Sequence, residues 1–229
     1  MGILEIGNKF IHIVLHIEEY LGPIVAQYGA WTYLFLFLIV FLETGFVLTP
    51  FLPGDSLLFV VGTMARLDIF NIWLLFILLS AAAILGDTCN YFVGKIIGQK
   101  IIRSKRHLIK KEHLDQTRQF FHKHGPKTII LARFVPIVRT FAPFMAGVGK
   151  MDYWKFLSYN VAGGILWVGS FLFLGYFFGG IPWVEANFSL VVIAIVLASF
   201  IPLIYIFIRD HFKKLKEKRS LKKLHARKN

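Results

Sequence analysis

Five ionisable side chains, Glu43, Asp55, Asp87, Arg133 and Arg139, interrupt stretches that are otherwise apolar enough for lipid. On insertion scales a charge at bilayer depth costs about 2.5–3.5 kcal/mol, so such groups face a protein interior or a wet cavity and mark functional sites. Burial favours the neutral form of an acid, and a neighbouring guanidinium favours the carboxylate. An acid beside an arginine can therefore take up and release a proton as its partner comes and goes. Arginine stays charged and presents a planar fork that matches phosphate oxygens. The chemistry on offer is proton exchange or gating at Glu43 and Asp55 and anion binding at Arg133 and Arg139. A plainer reading is that the acids neutralise the arginines and lock two segments together, because buried charges must be paired whatever their role. Both readings can hold, since a lock that opens is a gate. Asp87 and Asn90 either close the same polar site or satisfy nearby backbone groups, and Asn160 caps or hydrogen-bonds the second broken segment.

The elements that must hold these groups are helices in a membrane. The chain has 229 residues, of which 56% are hydrophobic, and its mean hydropathy is +0.63. Those values and the long apolar runs exclude a soluble domain of this size. Residues 69–97, 153–180 and 188–208 are each long enough to cross a hydrocarbon core of about 30 Å. Residues 3–28 mix apolar positions with charge and read as an amphipathic interfacial helix. Trp31 to Leu42 is apolar for little more than half a bilayer before Glu43, and Pro50, Pro53 and Gly54 then break the helix ahead of a second short run, Ser56 to Met64.

Residues 127–150 repeat the pattern, with Pro136 and Pro143 as the breaks. The tags Val61-Gly62-Thr63-Met64 and Val148-Gly149-Lys150-Met151 close the two segments, and each is followed by a long helix. Interrupted segments in corresponding positions point to an inverted-repeat transporter with its site near the midplane. Irregular backbone at that depth needs protein or a water-filled cavity around it. The expected fold is an all-α polytopic membrane protein, one domain over 1–229. Two opposed re-entrant helical hairpins, 31–66 and 127–150, pack with the long transmembrane helices.

The formal charge of +13 lies mostly in residues 95–127 and 209–228. Basic excess beside spans marks the cytoplasmic face. The 103–124 connector therefore lies along that surface, and the 209–229 tail rests cytoplasmically on anionic lipid headgroups rather than on nucleic acid. Cys89 is alone, and His107, His113, His122 and His124 lack metal-ligand spacing, so no disulfide, metal or cofactor is expected. No cleaved signal peptide is expected either. Gly94 and Gly98, and Gly163 and Gly164, read as close helix contacts.

The ordered motifs Glu43-Thr44-Gly45, Pro50-Phe51-Leu52-Pro53-Gly54-Asp55-Ser56, Gly86-Asp87 with Asn90-Tyr91, and Arg133-Phe134-Val135-Pro136 through Arg139-Thr140 to Pro143 and Ala146-Gly147 closely resemble the bacterial DedA family. Phe156, Asn160, Gly163 and Trp167 extend the resemblance, which runs from about Tyr28 to Gly180. It implies a multi-pass bacterial inner-membrane protein of the wider VTT-domain superfamily, whose eukaryotic members include lipid scramblases. It also implies a part in recycling undecaprenyl phosphate and proton-dependent phenotypes, with the positions matching Glu43, Asp55, Arg133 and Arg139 functionally essential. The leading expectation is a non-enzymatic transporter that returns a polyprenyl phosphate headgroup across the membrane. The alternatives are a proton-coupled antiporter of small cations or drugs, a lipid phosphatase, for which no histidine accompanies the arginines, and an assembly scaffold.

Overall fold

The computed structural model describes residues 27–45, 54–103 and 127–195, with Pro23 and residues 197, 198 and 201 besides. The expected amphipathic helix at 3–28 lies almost wholly outside the described residues. So do Pro50 and Pro53, the 103–124 connector and the 209–229 tail. Every described element is helical: α1 (Trp31–Gly45), α2 (Gly54–Arg66), α3 (Ile72–Arg103), α4 (Lys127–Ala132), α5 (Pro136–Val148), α6 (Tyr153–Phe178) and α7 (Pro182–Ala186). Residues 188–195 are helical too, and the rest of the span expected at 188–208 is largely undescribed.

Among the described residues two helices are long and apolar enough to cross a membrane, Ile72–Ile97 within α3 and Tyr153–Phe178, which is α6. At 1.5 Å per residue, 26 residues reach about 39 Å, more than the hydrocarbon core. Only 39% and 33% of their apolar windows are buried, so they turn apolar side chains such as Trp73, Ile77, Leu166 and Phe177 outward. The core helix of a soluble protein would not. Each long helix has a side-chain cap at its start. Asn71 Oδ1 accepts from the Trp73 and Leu74 amides, both at 3.0 Å, and an Asp152 carboxylate oxygen accepts from the Lys155 amide at 2.9 Å. Such caps satisfy amides that have no partner within the helix. The Asn71 cap is why α3 begins three residues after the expected position.

The shorter helices, α1 with 15 residues and α2 with 13, are too short to cross. Residues Gly54 through Ala65 of α2 are all buried, the polar Asp55, Ser56 and Thr63 among them. The buried core divides into two apolar clusters. The first draws on α1, α2, α3 and α6, through residues such as Val40, Leu58, Leu79 and Leu172; the second on α3, α4, α5 and α6, through Tyr91, Ile129, Ala146 and Phe156. Between them, part-way along both long helices, lie the buried polar residues Asp87, Asn90 and Asn160. Buried residues of α1 and α2 join only the first cluster, and those of α4 and α5 only the second.

The second helix of each broken pair packs chiefly on the long helix of the other half: α2 on α6, and α5 on α3. Both crossings use the same device. A Cβ added at Gly62 would lie 2.1 Å from the Leu172 carbonyl oxygen, and one at Gly175 2.0 Å from that of Phe59. A Cβ at Gly94 would lie 2.1 Å from the Phe144 carbonyl oxygen, and one at Gly147 2.0 Å from that of Tyr91. In each case the glycine faces the carbonyl three residues before the glycine opposite, a small-residue contact that lets backbones touch. Gly62 is thus matched by Gly147, two positions before the Gly149 suggested by the sequence tags. Both second arms also end alike. Asp68 and Lys150 take positive φ of 58° and 56°, and the next amides, of Ile69 and Met151, return to the carbonyls of Met64 and Ala146, closing the helix ends in Schellman fashion.

Forcing a methyl group into either crossing should separate the helices. Gly62→Ala and Gly147→Ala are each expected to lower the unfolding free energy by about 1–3 kcal/mol, the usual cost of overpacking. Gly169→Ala meets only ring edges, of Phe76 at 3.3 Å and Phe173 at 3.9 Å, and should be nearly neutral. Thermal unfolding in detergent checks this; equal midpoints for all three would mean that the crossings can relax.

Candidate functional site

The break between α4 and α5 is not where the prolines alone suggested. The chain turns at Arg133, Phe134 and Val135; Pro136 sits at the start of α5 and Pro143 inside it, without ending the helix. Proline suits the first helical turn because its missing N–H has no intrahelical role there. In the interior, Pro143 removes the donor that would meet the Arg139 carbonyl. Asn90 of α3 supplies a donor to the neighbouring Thr140 carbonyl at 2.7 Å and to the Thr44 carbonyl at 3.3 Å. Asn90 therefore ties the end of α1 to the start of α5.

That geometry places all five charged residues in the polar layer, each essentially excluded from solvent. Glu43 reaches across the first break. Its Oε1 accepts from the Gly54 amide at 3.2 Å, so the acid that ends α1 caps α2, where negative charge is favourable. A Cβ at 54 would lie 2.1 Å from Glu43 Oε2, so any larger residue there would push the Glu43 carboxylate out of this position.

The two arginines are divided differently from the expected pairing of Glu43 and Asp55 with both. Arg139 takes both acids of the first broken pair: Nη2 meets Glu43 Oε1 at 2.5 Å, and Nη1 meets Asp55 Oδ1 at 2.8 Å. Trp167 of α6 touches the same assembly twice. Its Nε1 donates to Asp55 Oδ1 at 2.8 Å, and its ring lies 4.8 Å from the Arg139 guanidinium carbon.

Arg133 belongs instead to Asp87 and Asn160. Its Nη2 lies 2.5 Å from Asp87 Oδ2, donates to Asn160 Oδ1 at 2.5 Å and approaches the Ala83 carbonyl at 3.4 Å. The contact with Asp87 is an ion pair without hydrogen-bond alignment. Asn160 Nδ2 in turn donates to the Ile84 carbonyl and Thr88 Oγ1, at 3.0 and 3.3 Å. Gly163 leaves room for the arginine stem, with the Arg133 Cδ 3.0 Å from where its Cβ would be. Several buried donors and acceptors here, including Arg133 Nε and Nη1, Arg139 Nε and Glu43 Oε2, have no hydrogen-bond partner among the described residues.

Sequence reading picked out all five charges, Asn90 and Asn160. It gave Gly54 only as a helix breaker and part of the family pattern, and Trp167 only as part of that pattern. A glycine directly before Asp55 and an indole on the facing span were the available signals. Among the described residues no group of histidine, cysteine or acidic side chains is arranged to hold a metal ion.

Residues 52–177 match the VTT domain. That match covers both arginines, Asp55, Asp87 and Trp167. The chain belongs to the VTT-domain, or DedA, family. The chain is 52% identical to Protein DedA of Escherichia coli K12 over 195 residues, which is 84% of this chain and 89% of that protein. It is 42% identical over 170 residues to a membrane protein of Mycobacterium tuberculosis, covering 73% of this chain and 74% of the relative. It is also 34% identical over 151 residues to the inner membrane protein YqjA of E. coli K12, covering 66% and 69%. No solved structure matches. The outward apolar surface of the two spans thus agrees with relatives that are named as membrane proteins.

Proposed function

We propose that this DedA-family protein moves a lipid phosphate headgroup, that of a polyprenyl phosphate such as undecaprenyl phosphate, from the outer to the inner leaflet of the bacterial cytoplasmic membrane. The observation that carries this reading is the state of Arg139. A buried guanidinium is held by two carboxylates that can each accept a proton, on two helices joined through a break. Protonation of Glu43 or Asp55 weakens its hold and frees part of the fork for phosphate oxygens, for which a planar guanidinium is the best-matched partner. Arg133, with two nitrogens lacking hydrogen bonds among the described residues, is a second contact for the same anion. The lipid tail remains in the bilayer while the headgroup passes through the polar layer.

In this reading the two broken pairs are opposed re-entrant hairpins of an inverted repeat. Their confinement to separate apolar clusters and their matched glycine crossings support it. The basic tail then lies on the cytoplasmic side. The protein is a transporter rather than an enzyme; release of inorganic phosphate from the lipid would overturn that.

The test is leaflet-to-leaflet movement of a polyprenyl phosphate in liposomes containing the purified protein, with and without a pH gradient. Arg139→Lys keeps the charge but loses the fork, and is expected to slow movement about tenfold or more, the equivalent of one charge-assisted hydrogen bond. Unchanged movement in that variant would remove the bidentate-anion idea. One observation favours a second reading, exchange of protons for a small cation: three buried carboxyl groups face two guanidinium groups, an excess of one negative charge when all are ionised. A requirement for Glu43 and Asp55 without one for the arginines would favour it.

A further inference from the structure

Trp167 stands apart from the other four tryptophans. Trp31, Trp73, Trp154 and Trp183 are 60–72% exposed, as lipid-facing side chains would be, whereas Trp167 is fully buried. It is also the one indole with both of its faculties engaged by the charged site. Its N–H is directed at Asp55 Oδ1, the oxygen that also accepts from Arg139, and its ring face lies against the Arg139 guanidinium. An indole N–H needs a partner when buried, and an aromatic face attracts a guanidinium. These contacts respond differently when Arg139 is given up to another anion. The Asp55 carboxylate keeps the indole N–H and is not stranded in an apolar interior, while the ring keeps the fork in one plane as its acidic partners change.

Trp167 lies seven residues after Asn160 on α6, about two turns and about 10 Å along the same helix face. Asn160 supports Arg133 by accepting a hydrogen bond from it, and Trp167 supports Arg139 through its ring face. The α6 helix therefore serves as a rigid template carrying one neutral support for each arginine.

We propose that Trp167 is a positioning residue for anion exchange at Arg139, holding the Asp55 carboxylate with its N–H and the guanidinium plane with its ring while the ion pair is open. This rests on the phosphate-transport reading of the same site. The bland alternative is that Trp167 merely fills volume in the first apolar cluster. The two are separable because Trp167→Phe retains the ring and most of the bulk but loses the N–H.

Two measurements test the proposal. In liposomes with polyprenyl phosphate, Trp167→Phe is expected to slow lipid movement about tenfold, and Trp167→Leu, which also removes the aromatic face, by more. Wild-type rates for a folded Trp167→Phe would overturn the role of the N–H. The second measurement does not depend on transport. Replacing Trp31, Trp73, Trp154 and Trp183 by Phe leaves Trp167 as the only tryptophan, and its emission reports the contact directly. That emission is expected to change when Arg139→Lys or Asp55→Asn is added, and to respond saturably to polyprenyl phosphate in phosphatidylcholine vesicles. Emission indifferent to both substitutions would refute the positioning role whether or not the lipid moves. Emission sensitive to them, in a protein that moves no lipid, would retain the contact and discard the transport reading.

Discussion

Arg139→Met is expected to lower the unfolding free energy by about 3–5 kcal/mol, the usual cost of leaving a buried charge without its partner. The reason is specific to this arginine. It is the counterion for Glu43 and Asp55 at once, so its removal leaves two carboxylates in an interior where, among the described residues, Glu43 keeps the Gly54 amide and Asp55 keeps the Trp167 N–H. The loss should be partly recovered by adding Glu43→Gln and Asp55→Asn, which remove the charges and retain the shapes. Unfolding in detergent, followed for the single and triple variants, checks both statements. A single variant as stable as the wild type would mean that the acids do not rely on Arg139.

The second large effect concerns the other arginine and takes a different form. Arg133→Met and Asp87→Leu should each be destabilising by about 3–5 kcal/mol, whereas the double variant should return to within about 1–2 kcal/mol of the wild type, because well-packed apolar residues can replace a buried ion pair at little cost. The two sites touch directly at 2.5 Å, so a strong coupling energy is expected rather than additivity. Lipid movement should not return with stability. A double variant that unfolds as early as the two losses combined would show that Asp87 and Arg133 are held independently. One that folds and also transports would confine Arg133 to a structural role.

Much of the fold was legible because membrane physics leaves few choices. Long apolar runs placed the starts of α3 and α6 to within three residues, although α3 runs on to Arg103, six past the expected end, and the early arrival of Glu43 after Trp31 marked a helix too short to cross. The charged residues declared themselves by their cost. Their partners did not, because pairing depends on which long helix each broken pair lies against. Nothing local to Asp55 says that Trp167, 112 positions later, will be its neighbour. Asp87 was left between two roles for the same reason. Pro143 misled in the opposite direction: a local helix breaker was tolerated inside α5, where Asn90 bonds the adjacent carbonyl. The two sequence tags lie two residues out of register with the matching glycine crossings at Gly62 and Gly147, since chain end and crossing point need not coincide.

The exchange of arms between the halves also governs the order in which the chain can be completed during synthesis. Thr63 and the Gly175 carbonyl it bonds are 112 residues apart, so when α1, α2 and α3 have been made the seat for α2 does not yet exist. Until α5 and then α6 emerge, Asp55 lacks first Arg139 and then Trp167, the two side chains it meets in the finished fold. The first half therefore waits for the second, and a chain released before α6 lacks the surface that its own α2 is shaped to meet. Assembly is concluded by the later half, whose α5 finds α3 already waiting.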